Sequence, residues 1–499
     1  MRTPTGAGRL STLVQAALMC GALVTGTGCA TLRATLSGYV TGPNGISRSQ
    51  QELREALVNA DFAKALAWHE DDALLQSMTT GVAAYYANQF ARSAAVLDTA
   101  ALLADDRITA SLSKDGLSLV TNDMARPYQP RRTERLFIPY YAMFSYVRLG
   151  AWEDAAVEAR RLVGLLAQLS EERDDGERAV HGAMEHLAGA VFERAGERND
   201  AQVAYRAAHA LLAALPETIA RGTIADEGEL LVVVERGFVA HRATETIELE
   251  LDDDDRDSLR QDGDSRRRAT GRIAERITGG ERRQARAGSA SAVASAYGLG
   301  TYAPPRHRRH DHDDDDDGYH LTVAFPLLRR SAHPWGGDVR LAVDDAAVAG
   351  MTVSSVVDEA SEVDARRERV ALATRALARA ATKYVVTKAI KDKKGEVAGS
   401  IANFGASLLE RADVRSWHLL PQEVSIVRVR VPAGTRAVRV QVGEGWAVRT
   451  VELGNVVVRR GELTIVPVRL WRDPPPAAVV APTPVLADAD AGCATLFCP

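Results

Sequence analysis

The chain has 499 residues but only four cysteines, and none of them lies between residues 30 and 492. Cys20 and Cys29 stand near the amino terminus, and Cys493 and Cys498 lie close together in the tail. Cys493 and Cys498 could form a disulfide, but this bond would close only a short loop and contribute little to global stability. We therefore do not expect disulfides to hold the fold together.

Aromatic residues are also scarce, at 5 % of the chain, whereas alanine is abundant. This composition favours helices that pack closely through small side chains. Neither charge dominates, since 61 basic and 66 acidic residues give a formal charge of −5. Without a basic excess there is no overall field to attract nucleic acid, and we expect no nucleic-acid partner.

The common catalytic motifs are missing. The sequence has no glycine-rich phosphate loop, no dinucleotide fingerprint, no His-Glu-x-x-His and no Gly-x-Ser-x-Gly. His181 and His186 lie five residues apart without the glutamate that a zinc hydrolase needs. We expect a protein that is not an enzyme and has no cofactor; a metal-dependent hydrolase with an unfamiliar site is the alternative.

Long hydrophobic runs are absent as well, and the apolar stretch 10–28 is too short and too rich in Gly and Thr to span a membrane. Arg2 and Arg9 precede it, as in a secretory signal peptide, which we place at residues 1–28. Cys29 follows Gly-Thr-Gly and resembles the acylated cysteine of a bacterial lipobox. Ala30 stands where inner-membrane lipoproteins often carry Asp, so we expect an anchor in the outer membrane. We expect the protein to face the periplasm. A secreted protein with a chance cysteine is the alternative.

Residues 48–216 show a repeated helix–turn–helix pattern. One helix is predicted to end at Gly150, and Ala155, Ala159 and Leu162 form an apolar stripe on the next. Residues 189–201 repeat this pattern, which resembles the tetratricopeptide repeat. A generic helical bundle is the alternative.

In such an array the first helix of each pair lines a concave groove that suits a protein partner. The predicted groove residues are Tyr85, Tyr86, Tyr140, Phe144, Arg148 and His186. Tyrosine and arginine are favoured at binding hot spots. In the alternative interpretation, Tyr140 and Phe144 are helix-packing residues.

Five segments resemble a family of bacterial repeat-containing lipoproteins of unassigned function. They are Ser118–Tyr128, Glu134–Arg135, Val157–Arg161, Leu372–Lys383 and Ala412–Pro421. The resemblance implies an envelope lipoprotein and supplies no catalytic residue.

The composition changes abruptly over residues 252–318, where an Asp run, Arg-rich stretches and a His/Asp tract follow one another. With few apolar side chains to bury, this segment is predicted to be a disordered insertion. The tract contains His307, His310 and His312, but a flexible segment lacks the outer contacts that orient metal ligands. We expect a solvated charge tract and no metal site; weak zinc or nickel binding is the alternative.

Residues 228–472 contain seven segments with strand character. They are 229–235, 246–251, 319–325, 338–343, 424–431, 437–442 and 463–470. Their alternating apolar and polar side chains predict an antiparallel β-sandwich-like domain, interrupted by the insertion. A Pro/Ala-rich tail follows at residues 473–499.

Residues 363–411 within this second half have helical character. Arg375, Arg379 and Lys383 are spaced by four residues and form a basic stripe on one side of the predicted helix. Such a stripe suits an acidic partner, an anionic lipid headgroup or a glycan polymer. A solvated helix face paired with nearby carboxylates is the alternative.

The sequence thus predicts an α+β multidomain protein, with a tetratricopeptide-like helical domain followed by a sandwich-like domain. The expected function is that of a non-enzymatic lipoprotein, anchored in the outer membrane, that serves as a scaffold for other envelope proteins. The alternative is a cell-wall-associated regulator or tether of peptidoglycan enzymes, with the basic stripe touching an anionic polymer.

Overall fold

A computed structural model describes residues 46–114, 127–171, 173–217, 226–250, 320–330, 337–394, 413–443, 448–471 and 496–498, with single positions 268, 270, 272 and 273. The predicted signal peptide, Cys29, most of the insertion and most of the tail lie outside these ranges. Helices and several sheets are both present, so the α+β fold class is confirmed. Among the helices of the described ranges, none combines the length and apolar character that a membrane span requires.

The amino-terminal half is helical, as predicted. Its described helices are α1 (Arg48–Val58), α2 (Phe62–Leu66), α3 (Ala73–Tyr86), α4 (Phe90–Lys114), α5 (Arg132–Leu149), α6 (Trp152–Gln168), α7 (Asp175–Arg194) and α8 (Arg198–Leu211). The carboxylates of Asp72 and Asp174 accept hydrogen bonds from the first amides of α3 and α7 and so fix where these helices start. Gly150 ends α5 with a φ of 72°, a left-handed conformation open to glycine, and the predicted helix end is confirmed.

From α3 to α8, each helix packs against the next along the chain. Small residues make these contacts close: Ser93, Ala155 and Ala201 are buried. Gly189 faces the ring of Tyr205, and a Cβ added at this glycine would lie 2.9 Å from that ring. The helices therefore approach each other where their side chains are smallest.

The second half forms strands around one long helix. They are β1 (Glu227–Arg236), β2 (His241–Glu250), β3 (His320–Arg329), β4 (Val339–Val343), β5 (Ala346–Val348), β6 (Met351–Val356), α9 (Val357–Lys394), β7 (Glu423–Pro432), β8 (Gly434–Val442), β9 (Arg449–Val458), β10 (Leu463–Leu470) and β11 (Leu496–Cys498). All seven predicted segments overlap strands. Four strands were not predicted: β5, β6, β9 and β11.

The strands form a five-stranded sheet in the order β11-β10-β1-β7-β6, a four-stranded sheet in the order β5-β4-β8-β9, and the pair β2-β3. The four-stranded sheet and the β2-β3 pair are antiparallel. In the five-stranded sheet, however, β10 runs parallel to β1, and β11 runs parallel to β10. The prediction of purely antiparallel pairing is therefore wrong. Between β7 and β10 the chain forms β8 and β9 of the four-stranded sheet. It then returns to the five-stranded sheet, where β10 pairs with β1 and runs in the same direction as β1.

Two apolar cores hold the layers together. One is shared by the helices and one face of the five-stranded sheet, where Leu231 and Ile465 meet side chains of α3, α5 and α7. The other lies between the two larger sheets and includes Val232, Val440 and Val466. Since β1 and β10 are covered on both faces, they carry continuous apolar runs such as Leu230–Val234.

The helix predicted at 363–411 begins earlier, at Val357, and is described to Lys394. It packs along β3, whose partner is β2. The insertion thus connects the two strands of a separate pair and does not interrupt either larger sheet. Within it, Thr270 and Ile273 are helical and buried, so the prediction of disorder is wrong at these positions. Ile273 supplies an apolar side chain that gains from leaving water.

Candidate functional site

Two of the predicted groove residues, Tyr86 and Tyr140, belong to a buried polar group at the sheet. We call it the tyrosine–glutamate cluster, and it consists of Tyr86, Tyr140, Tyr141, Glu235 and Arg469. Tyr86 donates a hydrogen bond of 2.6 Å to one carboxylate oxygen of Glu235, and Tyr140 donates one of 2.9 Å to the other. The hydroxyls of Tyr86 and Tyr141 are 2.9 Å apart. The cluster joins α3 and α5 to strand β1.

Arg469 lies on the neighbouring strand and supplies the opposite charge. Its Nη1 is 3.8 Å from Glu235 Oε2, and its guanidinium lies 4.4 Å from the centroid of the Trp471 ring. Burial raises the pKa of Glu235, and Arg469 together with the tyrosine hydroxyls offsets part of this rise. Burial also raises the pKa of Tyr86 and Tyr140 well above the usual value, so these hydroxyls stay protonated donors.

The prediction of an open partner-binding groove is therefore wrong. Five of its residues are at most 2 % exposed: Tyr85, Tyr86, Tyr140, Phe144 and His186. The sixth, Arg148, is half-buried with its guanidinium 4.6 Å from the centroid of the Phe90 ring. The face that binds a ligand in other helical arrays is occupied here by the chain's own sheet. Tyr140 and Phe144 are packing residues, as the alternative interpretation held.

A second polar group ties α7 and α8 to the sheet. Arg428 of β7 donates a 3.0 Å hydrogen bond to the hydroxyl of Tyr205 and another to Glu193, and it also pairs with Glu229. His186 lies against the Tyr205 ring, and burial lowers its pKa to about 3. A neutral, buried imidazole in this position packs and does not bind a partner.

A cavity of about 320 Å³ opens between β3 and α9. Its helical wall is one stripe of α9 that includes Glu362, Arg366 and Arg369, and its strand wall includes Leu327 and Leu328. Arg242 of β2 also lines the cavity; this side chain is buried and paired with Glu368. Sequence analysis did not find the cavity, because Arg366 and Arg369 lie nine and six residues before Arg375 and therefore on a different side of α9 from that end of the basic stripe.

The basic stripe itself is only partly described. Arg375 is half-buried on α9 and helps to lower the pKa of Glu368, after the larger effects of Arg131 and Arg242. Arg379 and Lys383 belong to the same helix, but their side chains lie outside the described residues. The same holds for Cys29 and for His307, His310 and His312. Within the described part of the chain, no group of His, Cys, Asp and Glu side chains could hold a metal ion.

The opposite side of the helical layer, formed by α4, α6 and α8, faces solvent. We call it the outer helical face. It exposes Leu102, Val157 and Val203 by 69 %, 50 % and 55 %. Arg161 of α6 pairs with Asp98 of α4 at 3.2 Å, and Arg160 lies 3.8 Å from Asp200 of α8, so these helices are neighbours.

Two solvent-accessible features thus stand out on the described surface: the arginine-lined cavity and the outer helical face. Neither has the paired acid–base or nucleophile geometry of a catalytic site. Comparison with protein-family models, with curated proteins and with solved structures finds no match to this chain.

Proposed function

We propose that this chain is a non-enzymatic lipoprotein of the bacterial envelope, anchored by Cys29 in the outer membrane, that binds another envelope protein on its outer helical face. In this proposal α3 to α8 form a tetratricopeptide-like array, and the two larger sheets form a sandwich-like unit beneath it. The fold supports a scaffold role because the array is braced by its own sheet rather than left open.

The observation that carries the proposal is the register of the exposed aliphatic residues. Val157 follows the buried Ala155 by two positions on α6, and Val203 follows Ala201 by two positions on α8. On α4 the corresponding position, two residues after the buried Ser93, is Ala95. Leu102 lies seven residues, or about two helical turns, after Ala95 and therefore on the same side of α4. Equivalent sides of three adjacent helices therefore each present an aliphatic side chain to water, and in this proposal these three side chains belong to one contact surface.

Site-specific photocrosslinking in cells tests this proposal. A photoreactive amino acid is placed at Val157, at Val203 and, as a control, at Val457, which is similarly exposed on strand β9 (49 %). We expect the same protein adduct from Val157 and Val203, and none from Val457. A peptidoglycan enzyme in that adduct would give the narrower role of a cell-wall tether.

A charge on this face should prevent binding. With the crosslinker at Leu102, Val157→Asp and Val203→Asp should remove the adduct, whereas Val457→Asp should leave it unchanged. No adduct at either helix position, or equal adducts at all three, would contradict the proposal.

A further inference from the structure

The cavity between β3 and α9 is lined by both arginine and leucine side chains. Three of its lining residues are arginines, at positions 242, 366 and 369, and Glu362 is the one acid among them. The carboxylate of Glu362 already has a counter-ion, because Arg330 lies 2.7 Å from it. The lining therefore carries an excess of positive charge.

The innermost arginine is held rigidly. Arg242 is 6 % exposed and pairs with Glu368, whose carboxylate also lies 3.6 Å from Arg131. A fixed guanidinium loses little conformational entropy when it binds an anion. Arg366 stands further out with its side chain 53 % exposed, so it can reorient from Asp174, which lies 3.4 Å away, toward a ligand.

The remaining wall of the cavity is apolar and includes Leu327, Leu328 and Leu372. The volume of about 320 Å³ lies at the lower end of the range of small-molecule pockets, roughly 300–1,000 Å³. A free phosphate would leave most of this wall in contact with water, whereas a ligand with a short alkyl part would cover it.

We propose that this cavity binds an alkyl phosphate, with the phosphate oxygens on the arginines and the first methylenes of the chain against the leucines. Guanidinium groups pair with phosphate through two parallel hydrogen bonds, which fixes its orientation as well as its charge. The same chemistry is offered by a membrane phospholipid and by a soluble phosphate ester. This binding site is independent of the outer helical face.

Calorimetric titration of the full chain carrying Cys29→Ser tests the chemistry with three probes: hexyl phosphate, inorganic phosphate and hexanol. We expect hexyl phosphate to bind at least tenfold more tightly than either of the others, since both parts of the ligand are recognised. Equal affinity for phosphate and hexyl phosphate, or no binding of hexyl phosphate, would overturn the proposal.

Variants then assign the binding to the cavity. Arg366→Ala with Arg369→Ala should weaken hexyl phosphate binding at least tenfold, while Arg340→Ala, an exposed arginine on β4, should not change it. Leu372→Gln should reduce the advantage of hexyl phosphate over phosphate without weakening phosphate itself. An equal loss in the Arg340 variant would place the binding elsewhere and overturn the proposal.

Vesicle sedimentation separates the two sources of the ligand. Binding to phosphatidylcholine vesicles that contain phosphatidic acid, abolished by the Arg366/Arg369 variant, identifies a membrane lipid as the source. Binding of hexyl phosphate without binding to these vesicles identifies a soluble phosphate ester. Vesicle binding that the variant leaves unchanged would contradict the use of the cavity for lipid.

Discussion

Glu235 and Arg469 are paired residues of the parallel strands β1 and β10, and their side chains meet 3.8 Å apart beneath the helices. Side chains in register on neighbouring strands point to the same face of a sheet. Both are therefore directed into the helix–sheet core, where Tyr86 and Tyr140 complete the hydrogen bonds of the carboxylate. The pair links three parts of the chain that are far apart in sequence.

Arg469→Met should strongly destabilise the protein, because it leaves the Glu235 carboxylate buried without a counter-ion. We expect a loss of about 3–5 kcal/mol in the free energy of unfolding, measured by urea denaturation. Adding Glu235→Gln should recover part of this loss. The matched control is Arg340→Met, whose ion pair with Asp338 is exposed, and which should cost less than about 1 kcal/mol. Similar losses from the two arginine variants would contradict this role.

Gly189→Ala should destabilise the contact between α7 and α8, because its Cβ would lie 2.9 Å from the Tyr205 ring. That ring is held by Glu193 and Arg428 and cannot move freely. We expect a cost of about 1–3 kcal/mol by thermal or urea unfolding. The matched control is Gly164 on α6, where an added Cβ would have no atom within 4 Å and would therefore cause no clash. Gly164→Ala should stabilise by about 0.5–1 kcal/mol; a loss there would argue against the helix packing described above.

Glu185 should make stability depend on pH. Burial raises its pKa to about 7 from a usual value of 4.5, and Arg173 opposes this rise only in part. Between these two values the folded state binds more protons than the unfolded state, so this residue's contribution falls as pH rises. His181 acts in the opposite sense, since burial lowers its pKa to about 4, and stability from this group rises between pH 4 and 6.5.

Comparison of Glu185→Gln with the unmodified chain isolates the carboxylate. The variant should have nearly the same stability at pH 5 and gain up to ~3 kcal/mol relative to the unmodified chain by pH 8, at 1.36 kcal/mol per pKa unit. Urea denaturation at several pH values gives this difference. A difference that does not change with pH would show that Glu185 is not protonated in the folded state.

Cys29→Ser should release the protein into the soluble fraction or block its processing, because the proposed anchor consists of acyl chains on this cysteine. Intact-mass analysis of the mature unmodified protein should show an acylated Cys29 at its amino terminus. An unacylated amino terminus at another residue would rule out the proposed anchor.

The insertion should be removable in part. Residues Glu250 and His320 are paired across β2 and β3, so a short Gly/Ser link can replace residues 279–316 without moving the strands. We expect a change of about 1 kcal/mol or less, seen as a shift of a few degrees in melting temperature. Removal of residues 256–316 should cost more, because it also removes the buried Thr270 and Ile273. Equal effects of the two deletions would show that these buried positions contribute nothing.

Local patterns predicted the elements of this fold better than their arrangement. The end of α5 at Gly150 and the strands with alternating Val and Arg, such as β7, follow from short-range chemistry. The edge strand β9 was missed because Gly454 interrupts its apolar alternation. Parallel pairing of β10 with β1 depends on a long-range return of the chain, which no local pattern encodes.

The candidate sites were harder to predict for a related physical reason. An apolar or aromatic helix face shows that something packs there, but not whether it is a partner or another part of the same chain. The sequence did contain one indication: Glu235 and Arg469 are charged residues inside apolar strands. Buried charges are usually paired. A glutamate in one apolar strand and an arginine in another are therefore candidates for an ion pair.

The double coverage of β1 has a consequence for the order in which the protein is made. Tyr86 and Tyr140 leave the ribosome long before Trp471, and the sheet that covers them lacks β10 until the chain has been synthesised past Leu470. Until then the inner helix faces expose their aromatic side chains to water, and such surfaces aggregate. A nascent or truncated chain that ends before β10 should therefore depend on a holding chaperone, whereas a chain that includes β10 covers these side chains with its own sheet.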